Sequence, residues 1–263
     1  MALAALSGDE QCIIFSQLCN LLDPGVAVAF GSTSSELRAL TPASRQQLRA
    51  DHEAAAALCL KLGMRSCKGL REARRVENVQ EGLSVDDLAT LGTLGSVLPA
   101  LEMLYLYGPA AGPDGVQRLA VGLGAGALPA VISLNLNSMH VGDAGASALA
   151  AALGRGALPR LMFLILTKAA IGDAALVALA PALRRRPALD YLNLCSNPFG
   201  DEGLAALVAP PPPPAGALPP PTGVLTKLKR LYLDYTQITD AGCAALAAAL
   251  DSGALPALEY REE

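Results

Sequence analysis

The residue types that act as nucleophiles or metal ligands are few in this sequence and do not cluster. Its 263 residues contain six cysteines and two histidines, and no two cysteines form a Cys-x-x-Cys pair. Zinc sites need closely spaced pairs of cysteine or histidine, so the spacing predicts no metal site. We interpret the cysteines as reduced thiols of a cytosolic or nuclear protein. The residues concerned are Cys12, Cys19, Cys59, Cys67, Cys195, Cys243, His52 and His140.

Carboxylates recur at one equivalent position along the chain. Each stands in front of an apolar helical run, where its oxygens could accept hydrogen bonds from the free N–H groups that begin that helix. A residue that recurs five times is typical of architecture, and the sequence offers no Ser/His/Asp set, paired carboxylates or Gly-rich phosphate loop. We therefore expect no catalytic residue, no cofactor and no enzymatic activity. The five aspartates are Asp114, Asp143, Asp173, Asp201 and Asp240.

These aspartates belong to a repeated unit, seen most clearly in residues 158–183. Each unit opens with leucine-type residues at positions 0, 3 and 5, and successive units start 28 to 39 residues apart. Positions 3 and 5 differ by the period of a strand, and leucines at positions 18 and 22 share one face of a helix. One strand and one helix cannot bury their apolar faces alone, so the units must stack. The units start at Leu101, Val131, Leu161, Leu189 and Leu228.

The LxxLxL segment, the Gly-Asp turn and the Ala/Leu-rich helix resemble the ribonuclease-inhibitor-like class of leucine-rich repeats. The resemblance covers about residues 98–263. It implies an α/β solenoid, a horseshoe with parallel strands on the concave face and helices on the convex face. At position 8 the family carries a polar residue, which is an asparagine here only in Asn197. We therefore expect little of the asparagine ladder that ties neighbouring repeats together.

The sequence predicts three parts: a helical module in residues 1–63, a degenerate capping repeat in 64–99 and the leucine-rich repeats in 100–263. In the capping repeat, Leu70 is expected to begin a polar strand, and the leucines that follow Asp86 and Asp87 have helical spacing. A proline-rich insertion in residues 209–222 lengthens the last step between repeats. We interpret it as an expanded loop on the helix side.

The helical module is expected to contain three apolar helical segments: one that carries Ile13 to Leu22 and ends at Asp23-Pro24-Gly25, one in residues 26–40 and one in residues 43–62. Its apolar pattern resembles an F-box, which implies docking onto the adaptor of a cullin-type ubiquitin ligase. Ser7 stands where that family has a proline, and no tryptophan lies near Leu37. A plain helical module ahead of a solenoid gives the same pattern, so both alternatives stay open. The matching positions are Leu6, Ile14, Leu18, Pro24, Val28 and Leu37.

Composition restricts the class of partner. A net charge of -4 and a pI near 5.3 argue against a nucleic-acid ligand. The sequence contains no uninterrupted run of 18 apolar residues, and its first residues lack the basic start of a secretory signal. We expect a protein without membrane association that is cytoplasmic or nuclear.

Strand residues at positions 2, 4 and 6 are expected to face the concave surface and to bind a partner there. Five of the six tyrosines fall on this face, counting Tyr260; tyrosine is common in interface hot spots and also suits half-exposed strands. The sequence thus favours a non-catalytic scaffold for a protein partner, with an F-box-type substrate adaptor as an alternative. A GTPase-activating protein is a second alternative, because one branch of the repeat family acts on a nuclear-transport GTPase. The expected partner-binding residues are Met103, Tyr105, Tyr107, Asn135, Asn137, Phe163, Ile165, Tyr191, Asn193, Arg230, Tyr232 and Asp234.

Overall fold

The computed structural model describes residues 7–33, 35–78, 82–109, 111–208 and 225–259. Within these ranges, six parallel strands form one open sheet in chain order, and a helix follows each strand. The strands are β1 Arg75–Glu77, β2 Met103–Tyr105, β3 Ser133–Asn135, β4 Phe163–Ile165, β5 Tyr191–Asn193 and β6 Arg230–Tyr232. The helices are α1 Gly8–Leu18, α2 Gly25–Phe30, α3 Ser35–Leu40, α4 Pro42–Lys61, α5 Cys67–Glu72, α6 Val85–Thr93, α7 Gly112–Gly122, α8 Gly142–Gly154, α9 Asp173–Arg184, α10 Asp201–Val208 and α11 Asp240–Asp251.

The sheet has one buried and one open face, which confirms the predicted α/β solenoid with strands on the concave side and helices on the convex side. The central residue of each strand pairs in register with the next, so that Leu104 lies beside Leu134 and Leu134 beside Leu164. These leucines are at most 2% exposed. Each buried leucine contributes about 1.5–3 kcal/mol, and the helices supply the other half of the core.

The turns between strands and helices repeat the same backbone geometry. Position 7 is left-handed in successive repeats, with φ values of 58° at Ser138, 52° at Lys168 and 57° at Ser196. Gly156, which follows the C-cap residue of α8, is also left-handed, with a φ of +94°. The repeats therefore superpose in their turns as well as in their strands.

The repeated aspartates have a different role from the one predicted for them. The carboxylate of Asp173 accepts hydrogen bonds from the backbone N–H groups of Gly200 and Gly203, each 2.8 Å away. That of Asp201 accepts from the N–H and the hydroxyl of Thr239, at 2.8 and 2.6 Å. The prediction that each aspartate caps its own helix is wrong for these two, because each is the first residue of its helix and its carboxylate bonds to the start of the next one. They tie one repeat to the next.

Arginines make a matching set of links at the opposite ends of the helices. Arg155 donates to the carbonyl oxygens of Ala120 and Leu123 at the end of α7, at 3.0 and 3.1 Å. Arg186 donates to the Ala157 carbonyl oxygen, which follows α8, at 2.8 Å. A guanidinium satisfies carbonyl groups that have no partner within their own helix. Arg186 therefore links the end of α9 to the chain that follows α8.

The helical module contains four helices in its described part, one more than the sequence predicted. Residues 26–40 form two short helices, because the chain turns between Gly31 and Thr33. Helix α4 belongs to two clusters at once: Leu48 packs with Phe15, whereas Leu58 enters the main core of the solenoid. The module and the first repeat therefore share this helix.

The capping repeat differs from its prediction at the start. Leu70 lies in helix α5, and the strand begins only at Arg75, because Leu70 turns into the core and is fully buried. Helix α6 forms where predicted, over Val85–Thr93. The predicted proline-rich loop in residues 209–222 and the F-box position Leu6 lie outside the described residues.

An ion pair joins the shared helix to the capping repeat. The Lys61 ammonium is 2.7 Å from an oxygen of Asp87, whose other hydrogen bonds come from the backbone N–H and hydroxyl of Ser84. Burial raises the pKa of the Asp87 carboxyl, but Lys61 and Ser84 together outweigh burial and hold it below its usual value. The negative charge of Asp87 thus stabilises the folded protein.

Asp87→Asn should lower stability by about 1 kcal/mol at neutral pH, an amount already reduced by solvent screening of the half-exposed lysine. Because the pKa of Asp87 is lower in the folded state, its contribution is complete above the unfolded pKa of about 3.9 and disappears as the pH falls through the folded pKa. Urea unfolding of wild type and Asp87→Asn from neutral pH to about pH 3 measures how the difference in their free energies of unfolding changes with pH. Asp86→Asn, on the exposed side of the same helix turn, is the control. A gap between wild type and Asp87→Asn that stayed constant in acid would contradict the expectation.

Candidate functional site on the concave sheet face

The open face of the sheet carries two columns of side chains on either side of the buried leucines. One column runs through Met103, Ser133, Phe163, Tyr191 and Arg230, which pair in register from strand to strand. The other runs through Tyr105, Asn135, Ile165, Asn193 and Tyr232. Most of these residues are half-buried, and Arg230 and Tyr232 are exposed. The structure therefore places the residues of both columns on one continuous face. Ser133 is the buried member of this face, with 5% of its surface exposed.

Three aromatic rings form a row at the C-terminal half of this face. The ring centroids of Phe163 and Tyr191 are 6.0 Å apart, and those of Tyr191 and Tyr232 are 5.2 Å apart. The guanidinium carbon of Arg230 lies 5.4 Å from the Tyr191 ring centroid. Rings held by their neighbours in this way lose little further freedom when a partner covers them. We name Phe163, Tyr191 and Tyr232 the aromatic row.

The N-terminal half of the face carries a polar aromatic group. Arg75 donates to Glu77, 2.6 Å away, and its guanidinium carbon is 4.8 Å from the Tyr105 ring centroid. Burial, followed by the charge of Glu77, raises the pKa of the Tyr107 phenol. Tyr107 therefore stays neutral and offers its hydroxyl for hydrogen bonding.

Amide side chains occupy the centre of the face and are held by local hydrogen bonds. The side-chain amide oxygen of Asn135 accepts from the backbone N–H of Asn137 at 2.9 Å. The equivalent oxygen of Asn193 accepts from Cys195 N–H and from the Thr167 hydroxyl, both at 3.0 Å. Fixed amides between aromatic side chains suit a partner with both apolar groups and a polar backbone.

Cys195 is the nucleophilic residue type on this face, and its environment makes it unreactive. Burial raises the pKa of its thiol to about 11, assisted by the hydrogen bond to the Asp234 carboxylate 3.1 Å away. A thiol of this kind is almost entirely protonated at neutral pH, and the thiolate is the reactive form. The geometry favours non-covalent recognition.

A cavity that the sequence did not indicate lies beside the last described strand. Its volume is about 590 Å³, and its wall joins Tyr232 and Asp234 of the concave face to core positions of the last repeat. Among these, Leu231, Ile238 and Leu246 are only half-buried, although their spacing predicts core residues. The sequence marks these three residues as core positions, but it does not reveal the cavity. Whether they are buried depends on a neighbouring repeat that packs against them. The lining comprises Leu204, Arg230, Leu231, Tyr232, Leu233, Asp234, Tyr235, Thr236, Ile238, Cys243, Leu246 and Glu259.

Two kinds of feature are absent from the part of the chain that the structure describes. There, no group of three or more His, Cys, Asp or Glu side chains is arranged to hold a metal ion. None of the described helices combines the length and the apolar character needed to cross a membrane.

Two solved structures are similar to parts of this chain. The leiomodin-1 actin-binding site 2 structure is 16% identical, with a TM-score of 0.42 over 57% of this chain and 79% of that one. An internalin of Listeria monocytogenes is 13% identical, with a TM-score of 0.20 over 81% of this chain and 96% of that one. No curated protein sequence matches the chain.

The family comparison concerns the last two repeats. The model described as "Leucine Rich repeat" matches residues 189–208 and 224–247, which contain β5 with α10 and β6 with most of α11. The same strand, turn and helix recur upstream, where successive strands start 28 to 30 residues apart. Together, the matched repeats and the open parallel sheet identify the fold as a leucine-rich-repeat solenoid.

Proposed function

We propose that the protein is a non-catalytic scaffold that binds a protein partner on the concave face of its sheet. The observation that carries the proposal is the aromatic row with Arg230, which forms a connected, half-open surface across three strands. Tyrosine and arginine are enriched in interface hot spots, where rigid rings bury much area at a small cost in entropy. The leucine-rich-repeat fold supports a role in protein–protein interaction.

The partner that best fits this face is a neutral or mixed-charge protein segment. Arg75 is balanced by Glu77, and the charge of Arg230 has a counterpart in Asp234, four residues further along the chain. No single sign of charge therefore dominates the face. Apolar contact with the aromatic row and hydrogen bonding to the central amides would provide the affinity.

Tyr191→Ala should lower the affinity for the partner at least about ten-fold, because Tyr191 is the ring that contacts both other members of the row. The partner is first recovered from native cell lysate on immobilised wild-type protein and identified by mass spectrometry. Binding is then measured by calorimetry with the purified partner. A triple variant with Tyr105, Tyr191 and Tyr232 changed to Ala should recover none of it.

The control variants change the convex face. Val121 in α7 and Val177 in α9 are 66% and 41% exposed, and neither lies on the sheet. The double variant Val121→Ser and Val177→Ser should bind as wild type does. If the tyrosine variants recovered as much partner as wild type and the valine variant recovered none, the partner would bind the helices of the convex face. That result would overturn the proposal.

An F-box-type adaptor is the second candidate, favoured by apolar residues exposed on the N-terminal helices. Ile13, Val26, Val28 and Leu40 are 60%, 57%, 42% and 44% exposed. Exposed apolar residues in one small module are typical of a docking surface. Direct mixing of the purified chain with a cullin-ligase adaptor subunit tests it, with Ile13→Asp and Val28→Asp expected to abolish a complex. Absence of a complex with wild type would show that the protein does not have this role.

The GTPase-activating alternative stays a hypothesis, because no contact described above favours it.

A further inference from the structure

Two cysteines lie side by side where the helical module meets the first repeat. Cys59 is two residues from the end of α4, and Cys67 is the first residue of α5. The Cys59 thiol donates to the Cys67 sulfur, and the two Sγ atoms are 3.8 Å apart. The sulfur–sulfur bond of a disulfide is about 2.05 Å long, so the two sulfurs have to approach further before they can bond.

The two thiols differ in their access to solvent. Cys59 is 1% exposed, among core residues such as Leu58, whereas Cys67 is half-buried and reaches the surface. Burial and the hydrogen bond with Cys67 raise the pKa of Cys59 to about 12. An oxidant in solution therefore meets Cys67 first, and Cys59 is held as a protonated thiol beside it.

We propose that Cys59 and Cys67 form a peroxide-sensitive dithiol that closes to an intramolecular disulfide. The Cys67 sulfur attacks one oxygen of hydrogen peroxide, the O–O bond breaks, and a sulfenic acid and one water result. The Cys59 sulfur then attacks the Cys67 sulfur as its proton passes to the departing hydroxyl, so the S–O bond breaks and water leaves without a free Cys59 thiolate. The closeness of the two sulfurs, and not a lowered pKa, favours this attack. The sulfurs lose two electrons, which the peroxide oxygens gain.

The disulfide would fasten the shared helix to the capping repeat. Helix α4 already contacts that repeat through the Lys61–Asp87 ion pair, and α5 leads within three residues to strand β1. Cross-linking removes freedom from the segment between the cysteines, where Gly63 has a φ of +70°. Oxidation therefore stiffens the N-terminal end of the solenoid.

The test treats the reduced full-length chain with a small excess of hydrogen peroxide, alkylates the remaining thiols and maps the non-reduced peptides. We expect one linked peptide containing Cys59 and Cys67, with Cys12, Cys19, Cys195 and Cys243 alkylated. Amide exchange in residues 62–66 should slow about ten-fold in the oxidised protein. Conversion of Cys67 to a sulfinic acid while Cys59 stays alkylatable would overturn the proposal, as would pairing of either cysteine elsewhere.

The control variants separate the pair from general thiol oxidation. Cys67→Ser replaces the half-buried partner and avoids a hydroxyl in the core, and its folding is checked by circular dichroism. It should give neither the linked peptide nor the slowed exchange. Cys243→Ser removes an exposed thiol of α11 and should behave as wild type. A Cys67→Ser protein that still lost two thiols to peroxide would show that other cysteines react.

Discussion

Asn197→Ala should destabilise the solenoid by about 3–5 kcal/mol. Asn197 is 2% exposed. Its amide oxygen accepts from the backbone N–H groups of Ala169 and Ile171, both at 3.0 Å, and its amide nitrogen donates to the carbonyl oxygens of Leu166 and Leu194 at 2.7 and 2.8 Å. Truncation leaves these buried groups of two repeats without partners, and each costs about 1–3 kcal/mol.

The expected effect is measurable as a fall of about 10 °C in the thermal midpoint and as faster amide exchange at Ala169 and Ile171. Thr236→Ala is the matched control because Thr236 occupies the same repeat position. Its hydroxyl donates only to the Leu233 carbonyl oxygen of its own turn, at 2.9 Å, and it is half-buried. We expect a loss of no more than about 1 kcal/mol there. Equal losses in the two variants would mean that Asn197 does not join the repeats.

Gly122→Ala should cost about 2–3 kcal/mol through the contact between α6 and α7. A Cβ atom at Gly122 would lie 2.8 Å from the Gly92 carbonyl carbon and 2.9 Å from its Cα. Both are backbone atoms, so the overlap is relieved only by moving the helices apart. The equivalent position is alanine in the following repeats, at Ala152 and Ala182. The close approach is thus particular to the capping repeat.

Gly154→Ala is the control for Gly122→Ala. Gly154 is the last residue of α8, and a Cβ atom there would have no neighbour within 4 Å. Alanine should leave stability unchanged or raise it by up to about 1 kcal/mol, because glycine loses more backbone freedom on folding. Urea unfolding of both variants beside wild type gives the comparison. A Gly122→Ala protein as stable as Gly154→Ala would show that the two helices are further apart than this.

The candidate binding face was predictable because it depends on a local period. Residues two apart in a strand share a face, so the spacing alone was enough to group Tyr105, Phe163 and Tyr191 on one side of the sheet. It did not reveal that the Tyr191 ring contacts both Phe163 and Tyr232, which come from neighbouring strands. It also missed the cavity beside β6, since the exposure of Leu231 and Ile238 depends on what packs against the last repeat.

The sequence by itself determined the order of strands and helices, the parallel sheet and the buried leucines, because each repeat must bury the same apolar spacing against its neighbours. Only the tertiary structure decided which groups meet between repeats. Asp173 caps the helix that starts almost thirty residues later, and Cys59 meets Cys67 across the turn between two helices. Such contacts depend on how neighbouring units pack against each other in space. The spacing of apolar residues within one unit does not determine which polar groups of two units come within bonding distance.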